Sequence, residues 1–271
     1  MATETLKRRA RLFFAGLLIF LGLGFCLSRI HASHLHGNSN GWNQPSIFPA
    51  LVLWAWERPE DLSFIDPRKV GVAFLAKTIN LKGGEVGVRP RFQPLTVPSG
   101  TKVMPVVRIE IDRREAATLD QPQLETVASL ISSEAESRPY SAIQIDFDAP
   151  KSARVFYRDL LIEVRHRLPA GFPVSMTALA SWCIGDDWLS GLPVDEAVPM
   201  MFRMGADARP VLSHIEAGGD FHALPARSSL GISVDEPISK LPSNRRVYVF
   251  NPRPWSEADL KTVMSEVSQW Q

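Results

Sequence analysis

Asp146 and Asp148 close a short apolar run, Ala142-Ile143-Gln144-Ile145-Asp146-Phe147-Asp148-Ala149-Pro150. A strand covered on both faces reads this way, with only its end reaching water. Side chains alternate along a strand, so the two acids share one face and Phe147 takes the other. Two carboxyl groups placed so close raise each other's pKa, which is how a site obtains an acid near neutral pH. Asp148, nearer the end of the strand, is the better candidate for general acid or base. Asp146, deeper, orients it or raises its pKa. The bland alternative is one capping or loop-bonding Asp beside a solvated neighbour.

The elements that must position this pair recur through the chain. Eight apolar strand-like runs follow Ala50, at residues 51–56, 70–75, 103–109, 143–147, 174–179, 197–202, 230–234 and 247–250. Between several of them apolar residues fall at helical spacing: Leu124, Val127, Ala128 and Ile131, then Phe156, Leu160, Leu161, Val164 and Leu168, and finally Leu260, Val263, Met264 and Val267. Ser256-Glu257-Ala258-Asp259 supplies the hydroxyl and acids that a helix N-terminus prefers. Lys82-Gly83-Gly84-Glu85 sits between alternating segments and predicts a hairpin in place of a helix. The expected fold is therefore α/β, a (β/α)8 TIM barrel with some helices short or replaced. An open doubly wound sheet is the competing arrangement. It would want a Gly-rich turn after the first strand, where Trp56-Glu57-Arg58-Pro59 stands instead.

A barrel keeps its chemistry at the carboxyl ends of its strands. Read in order, these ends carry Trp54, Trp56 and Glu57; Arg108, Glu110 and Asp112; Asp146 and Asp148; Ser181-Trp182-Cys183; Arg203; Asp235-Glu236; and Asn251, Arg253 and Trp255. Aromatic faces stack on sugar rings, while carboxylates and guanidinium groups bond hydroxyls, so this rim resembles a carbohydrate cleft. Trp56, Trp182, Arg203, Asp235, Asn251, Arg253 and Trp255 are the candidate substrate-binding residues. Glycoside cleavage needs a second carboxyl, roughly 5 Å away for retention or 6.5–9.5 Å for inversion. Glu236, Asp235, Glu57 and Glu110 are the candidates, and the sequence does not choose among them. The Trp residues could instead cap the barrel as ordinary packing, and the Arg residues could simply neutralise the acids.

Composition narrows the field further. The 271 residues carry a formal net charge of +1, which argues against a general nucleic-acid binder. The two cysteines, Cys26 and Cys183, form neither a disulfide framework nor a metal-type spacing, and no cofactor is implied. Lys7, Arg8, Arg9 and Arg11 precede an apolar run at residues 12–27, so residues 1–28 read as a signal peptide or N-terminal anchor in the inner membrane. Residues 29–49 read as a linker, in which His31, His34 and His36 need no metal to explain them. Residues 50–271 form the expected barrel domain, delivered to the periplasm or another extracytoplasmic space.

At Asp146 and Asp148 the chain resembles the chitinase-type glycosidase barrels. Their fourth strand ends in Asp-x-Asp-x-Glu, with the Glu as acid and a substrate acetamido group as nucleophile. Asp146 and Asp148 match the two Asp positions, and Pro150 stands where the Glu belongs. Met200-Met201-Phe202-Arg203 resembles the family's Met-x-Tyr-Asp, with Phe202 in place of the assisting Tyr and Arg203 in place of the Asp; Phe250 stands for the eighth-strand Trp. The whole pattern also resembles an uncharacterised bacterial family of exported barrels, through residues 145–149, 178–183, 199–205 and 252–255. The resemblance implies a barrel relative with a rebuilt or silenced site. The favoured expectation is a hydrolase acting on an envelope or extracellular polysaccharide by carboxylate acid/base catalysis. The alternative is a non-catalytic carbohydrate-binding or envelope-assembly protein, with the Asp pair locked by Arg203 or Arg253. A metal-dependent deacetylase would need His166, His214 or His222 beside the Asp pair, and ranks last.

Overall fold

The computed structural model describes residues 48–270. The signal or anchor segment and nearly all of the linker lie outside the described residues. Eight parallel strands close into a barrel: β1 (Leu51–Ala55), β3 (Val70–Lys82), β6 (Val103–Ile111), β7 (Ile143–Asp146), β8 (Val174–Leu179), β9 (Glu196–Met200), β10 (Ser229–Ser233) and β11 (Arg246–Phe250). Each pairs with the next, and β1 joins both β3 and β11, which closes the ring. All eight apolar runs of the sequence are these strands.

The connections explain why the helical pattern was uneven. Helices α1 (Gln121–Glu136), α2 (Arg154–Arg167), α3 (Ala180–Gly185) and α4 (Ala208–Glu216) follow β6, β7, β8 and β9, and α5 (Glu257–Val267) follows β11. Asp120 caps α1 by accepting from the Gln123 amide at 3.0 Å, with Pro122 in the first turn where no N–H is needed. Ser256 and Asp259 form a reciprocal capping box on α5. After β3 the chain turns at Gly83 and returns as β4 (Glu85–Pro90), antiparallel to β3. This hairpin takes the place of a helix. Two further short strands, β2 (Glu60–Asp61) and β5 (Leu95–Thr96), pair beside the barrel.

The strands' alternation divides the core in two. Leu51, Leu53 and Ala55 pack outward under the helices, while Val52 and Trp54 point into the barrel with Phe48, Ala73, Met104, Val106, Val198 and Tyr248. The barrel is filled rather than hollow. Trp54 reaches so far across that a Cβ on Gly231 would lie 2.8 Å from its ring. Beneath the rim runs a buried polar chain. Trp54 Nε1 donates to Gln144 Oε1 (2.8 Å), Gln144 Nε2 to Ser175 Oγ (3.1 Å), and Ser175 Oγ to Glu196 Oε2 (2.8 Å). Tyr248 Oη (2.7 Å) and Arg246 Nη1 (2.9 Å) complete the shell of Glu196. A buried carboxylate is tolerable only when its oxygens are satisfied in this way.

Candidate active site

β7 delivers Asp146 as its last residue, and the chain leaves the strand through Phe147 to Pro150. The Phe147 ring packs outward against Tyr157 of α2, with centroids 5.0 Å apart, and fixes that exit. Asp146 is 7% exposed. The Thr177 hydroxyl on β8 donates to its Oδ1 at 2.7 Å, and Arg108 Nε on β6 lies 3.8 Å from its Oδ2. Burial first, and the charge of Asp148 second, lift its pKa to about 6 against the pull of Thr177 and Arg108.

Asp148 stands at the mouth and keeps contact with solvent. The surrounding walls still crowd it enough to push its pKa upward, while Arg108 acts in the opposite direction. Arg108 also pairs with Glu110 at 3.0 Å and lies over the Trp56 ring, 5.8 Å from its centroid.

Two cavities meet at Arg108, Asp146 and Asp148, which line both. The smaller, about 260 Å3, is walled by Trp54, Trp56, Phe202 and Phe250, with Thr177 and Arg203 also lining it. The Phe202 and Phe250 rings lie nearly parallel with centroids 5.7 Å apart, and Trp56 meets Phe250 edge-on with centroids 6.1 Å apart. The larger, about 710 Å3, is lined by Asn80, Glu110, Asp112, Arg113 and Arg114 among others. An aromatic-walled hollow beside a pair of acids at the strand carboxyl ends is an arrangement able to seat a ring and deliver a proton to its substituent.

The other residues singled out from the sequence distribute unevenly. Glu110 lines the same cavity as Asp148, and Trp56 lines the smaller one. Glu57 is drawn off by Arg89 at 2.6 Å. Arg203 pairs with Asp235 at 2.8 Å and with Glu236, and its backbone amide donates to Glu236 as well. The Ser233 hydroxyl, and then Arg203, hold Asp235 below its ordinary pKa. Arg203 has φ of 54°, a left-handed conformation that turns its side chain toward these two acids.

Trp182 sits on α3 rather than on a strand end. It is buried against Trp188, 4.9 Å between centroids, with Arg154 over both rings. Trp255 is buried and donates to the Trp54 carbonyl at 3.0 Å. Asn251 is buried too, accepting from Arg58 at its carbonyl and from the Arg253 amide at its side chain, while Arg253 is exposed. The cation beside the Asp pair is Arg108, not Arg203 or Arg253. His214 and His222 meet edge to face with centroids 6.0 Å apart, and His166 lies on the exposed face of α2. Among the described residues no group of three His, Cys, Asp or Glu could hold a metal ion.

Thr177, Arg113, Arg114 and the Phe202–Phe250 stack belong to the site although the sequence alone does not single them out. Thr177 reaches Asp146 through the register of β7 and β8: Ile145 pairs with Met176, so the next residues, Asp146 and Thr177, stand side by side on the inward face.

The described residues form a (β/α)8 barrel, and solved structures share that fold with it. The solved structure of a candidate chitinase A from Streptomyces coelicolor superposes with a TM-score of 0.51 at 11% identity, over 83% of this chain and 97% of that one. A chitinase from Rhizomucor miehei gives 0.45 at 12% identity, over 68% of this chain and 69% of that one. The spore cortex-lytic enzyme SleL of Bacillus cereus gives 0.43 at 17%, over 69% and 51%. No family model and no curated protein matches this sequence.

Proposed function

We propose that this protein is a glycoside hydrolase acting on an envelope or extracellular polysaccharide, with Asp148 as its general acid/base. The observation that carries the reading is Asp146, buried beneath Asp148 with a pKa near 6 that the Asp148 charge helps to raise. Two such carboxyls do not readily ionise together, so the pair retains one proton up to a pH of about 6. Asp148, at the junction of the two cavities, is placed to pass that proton to a glycosidic oxygen spanning them. Glu110, which lines the same cavity as Asp148 and pairs with Arg108 at 3.0 Å, is the candidate second carboxyl.

The strand's own alternation supports a different placement of the Asp-x-Asp-x-Glu likeness. Gln144 and Asp146 both point into the barrel, so Asp148 occupies the next inward position. Read two residues earlier, the motif sets Gln144, Asp146 and Asp148 on its Asp, Asp and Glu. Asp148 then falls on the acid, one methylene shorter, and Pro150 falls outside the motif. Phe202 still has no hydroxyl to assist an acetamido nucleophile. The basic and apolar residues of the N-terminal segment support export, with or without retention in the inner membrane.

The second reading, a glycan-binding barrel without catalysis, is favoured by the pairing of Glu57, Asp235 and Glu236 with arginines. Incubation with a panel of bacterial polysaccharides separates the two. The hydrolase generates new reducing ends; the binding protein retains a glycan and generates none.

A further inference from the structure

We infer that the larger arm of the cleft takes a polyanionic glycan, one whose sugars carry carboxylate groups. The inference rests on the reading of the rim as a glycan cleft and adds the charge of the chain that enters it. Three guanidinium groups, Arg108, Arg113 and Arg114, line this arm.

The acids there are engaged by other groups, although Asp112 stays ionised and Arg108 directs its charge to Glu110. Glu110 is paired with Arg108 at 3.0 Å. Asp112 Oδ1 accepts the backbone N–H groups of Arg114 (2.8 Å) and Glu115 (2.9 Å), which hold its carboxyl below the ordinary range. Asp146 is buried and Asp148 stands at the junction with the aromatic pocket. By contrast, Arg113 and Arg114 are exposed, and neither side chain forms an ion pair or hydrogen bond among the described residues.

Their loop is held in place from both sides. The Asp112 amide donates to the Leu81 carbonyl (2.8 Å), Thr118 to the Gly83 carbonyl (2.8 Å), and Lys82 pairs with Glu115 at 3.5 Å. Two exposed guanidiniums without an ion-pair partner among the described residues are thus presented along the open arm, and the Arg114 charge also helps to keep Asp112 ionised. The guanidinium fork matches a carboxylate bidentately and is weakly hydrated, so it loses little on meeting one. A neutral sugar chain offers these groups hydroxyls but no charge.

The test is calorimetric binding to full-length protein carrying Asp148→Asn, so that cleavage does not consume the probe. Hexamers of galacturonate, mannuronate and hyaluronate are compared with chitohexaose and cellohexaose. At least one uronate-containing hexamer is expected to bind about tenfold tighter than either neutral one, equivalent to about 1.4 kcal/mol. The double variant Arg113→Gln/Arg114→Gln is expected to abolish that preference, Arg113→Lys/Arg114→Lys to retain part of it, and added salt to weaken it. Neutral hexamers bound as tightly as uronates, no binding at all, or a preference indifferent to the Gln variant would each overturn the inference. Uronate binding by a protein whose wild type cleaves no glycan would leave it standing and remove the hydrolase reading. Cleavage of a neutral glycan without uronate preference would do the reverse.

Discussion

The Thr177 hydroxyl and the Asp146 carboxyl are joined across β7 and β8 by a hydrogen bond of 2.7 Å, in which Asp146 accepts. This bond favours the ionised acid and opposes the burial that raises its pKa. Thr177→Val should therefore move the Asp146 titration above about 6, and Thr177→Ser should restore it. Carboxyl 13C chemical shifts followed against pH measure this directly. An unmoved titration in Thr177→Val would show that the hydroxyl does not tune the acid.

The same acid links stability to pH. Asp146 holds its proton more tightly folded, at about 6, than unfolded, at about 3.9. Its contribution to stability is thus fully present below pH 4 and is lost as the pH rises through 6. In the wild type this loss is on the order of 2–3 kcal/mol, and Asp146→Asn should not show it. Urea unfolding of both proteins at pH 4.5 and pH 7 gives the comparison. A wild type and variant that change in parallel would contradict the raised pKa.

Gly231 and Trp54 form a packing constraint on the barrel interior. A Cβ on Gly231 would lie 2.8 Å from Trp54 Cη2 and 3.1 Å from Cζ3, displacing the indole from Gln144. Gly231→Ala is expected to cost about 1–3 kcal/mol, as overpacking does. Gly84→Ala, where a Cβ would meet nothing within 4 Å, should fall within about 0.5 kcal/mol of the wild type. Midpoints of chemical unfolding separate the two.

Glu196 and Arg246 form a buried ion pair beneath the site, with Glu196 fully enclosed. Removing one partner strands the other charge, so Glu196→Ala should lose about 3–5 kcal/mol of stability. A loss below about 1 kcal/mol, read by thermal or urea unfolding, would mean that the pair relaxes into water.

The architecture was legible because its signals are local. Each barrel strand is a continuous apolar run, and Lys82-Gly83-Gly84-Glu85 marks the hairpin turn without reference to anything distant. Asp146 and Asp148 were likewise visible at the end of one run. Pairing was not visible, since it is decided between strands. Glu236 meets an arginine 33 residues away, and Asp146 a threonine 31 residues away. Trp182 reads in the sequence as a strand end, yet the chain turns into α3 at Ala180 and carries the indole into the helix layer. Arg108 was noted at its strand end, but its contact with Asp146 follows from the register Arg108↔Asp146 between β6 and β7.

The role of Asp148 is tested most directly by kcat/KM on a glycan that the wild type cleaves, compared between wild type, Asp148→Asn and Asp146→Asn. Loss of a general acid costs about 10²–10⁴-fold. Asp148→Asn is expected to lose that much while keeping its unfolding midpoint, and Asp146→Asn to lose less and to shift the pH profile. An Asp148→Asn protein that releases reducing ends at the wild-type rate would contradict the assignment.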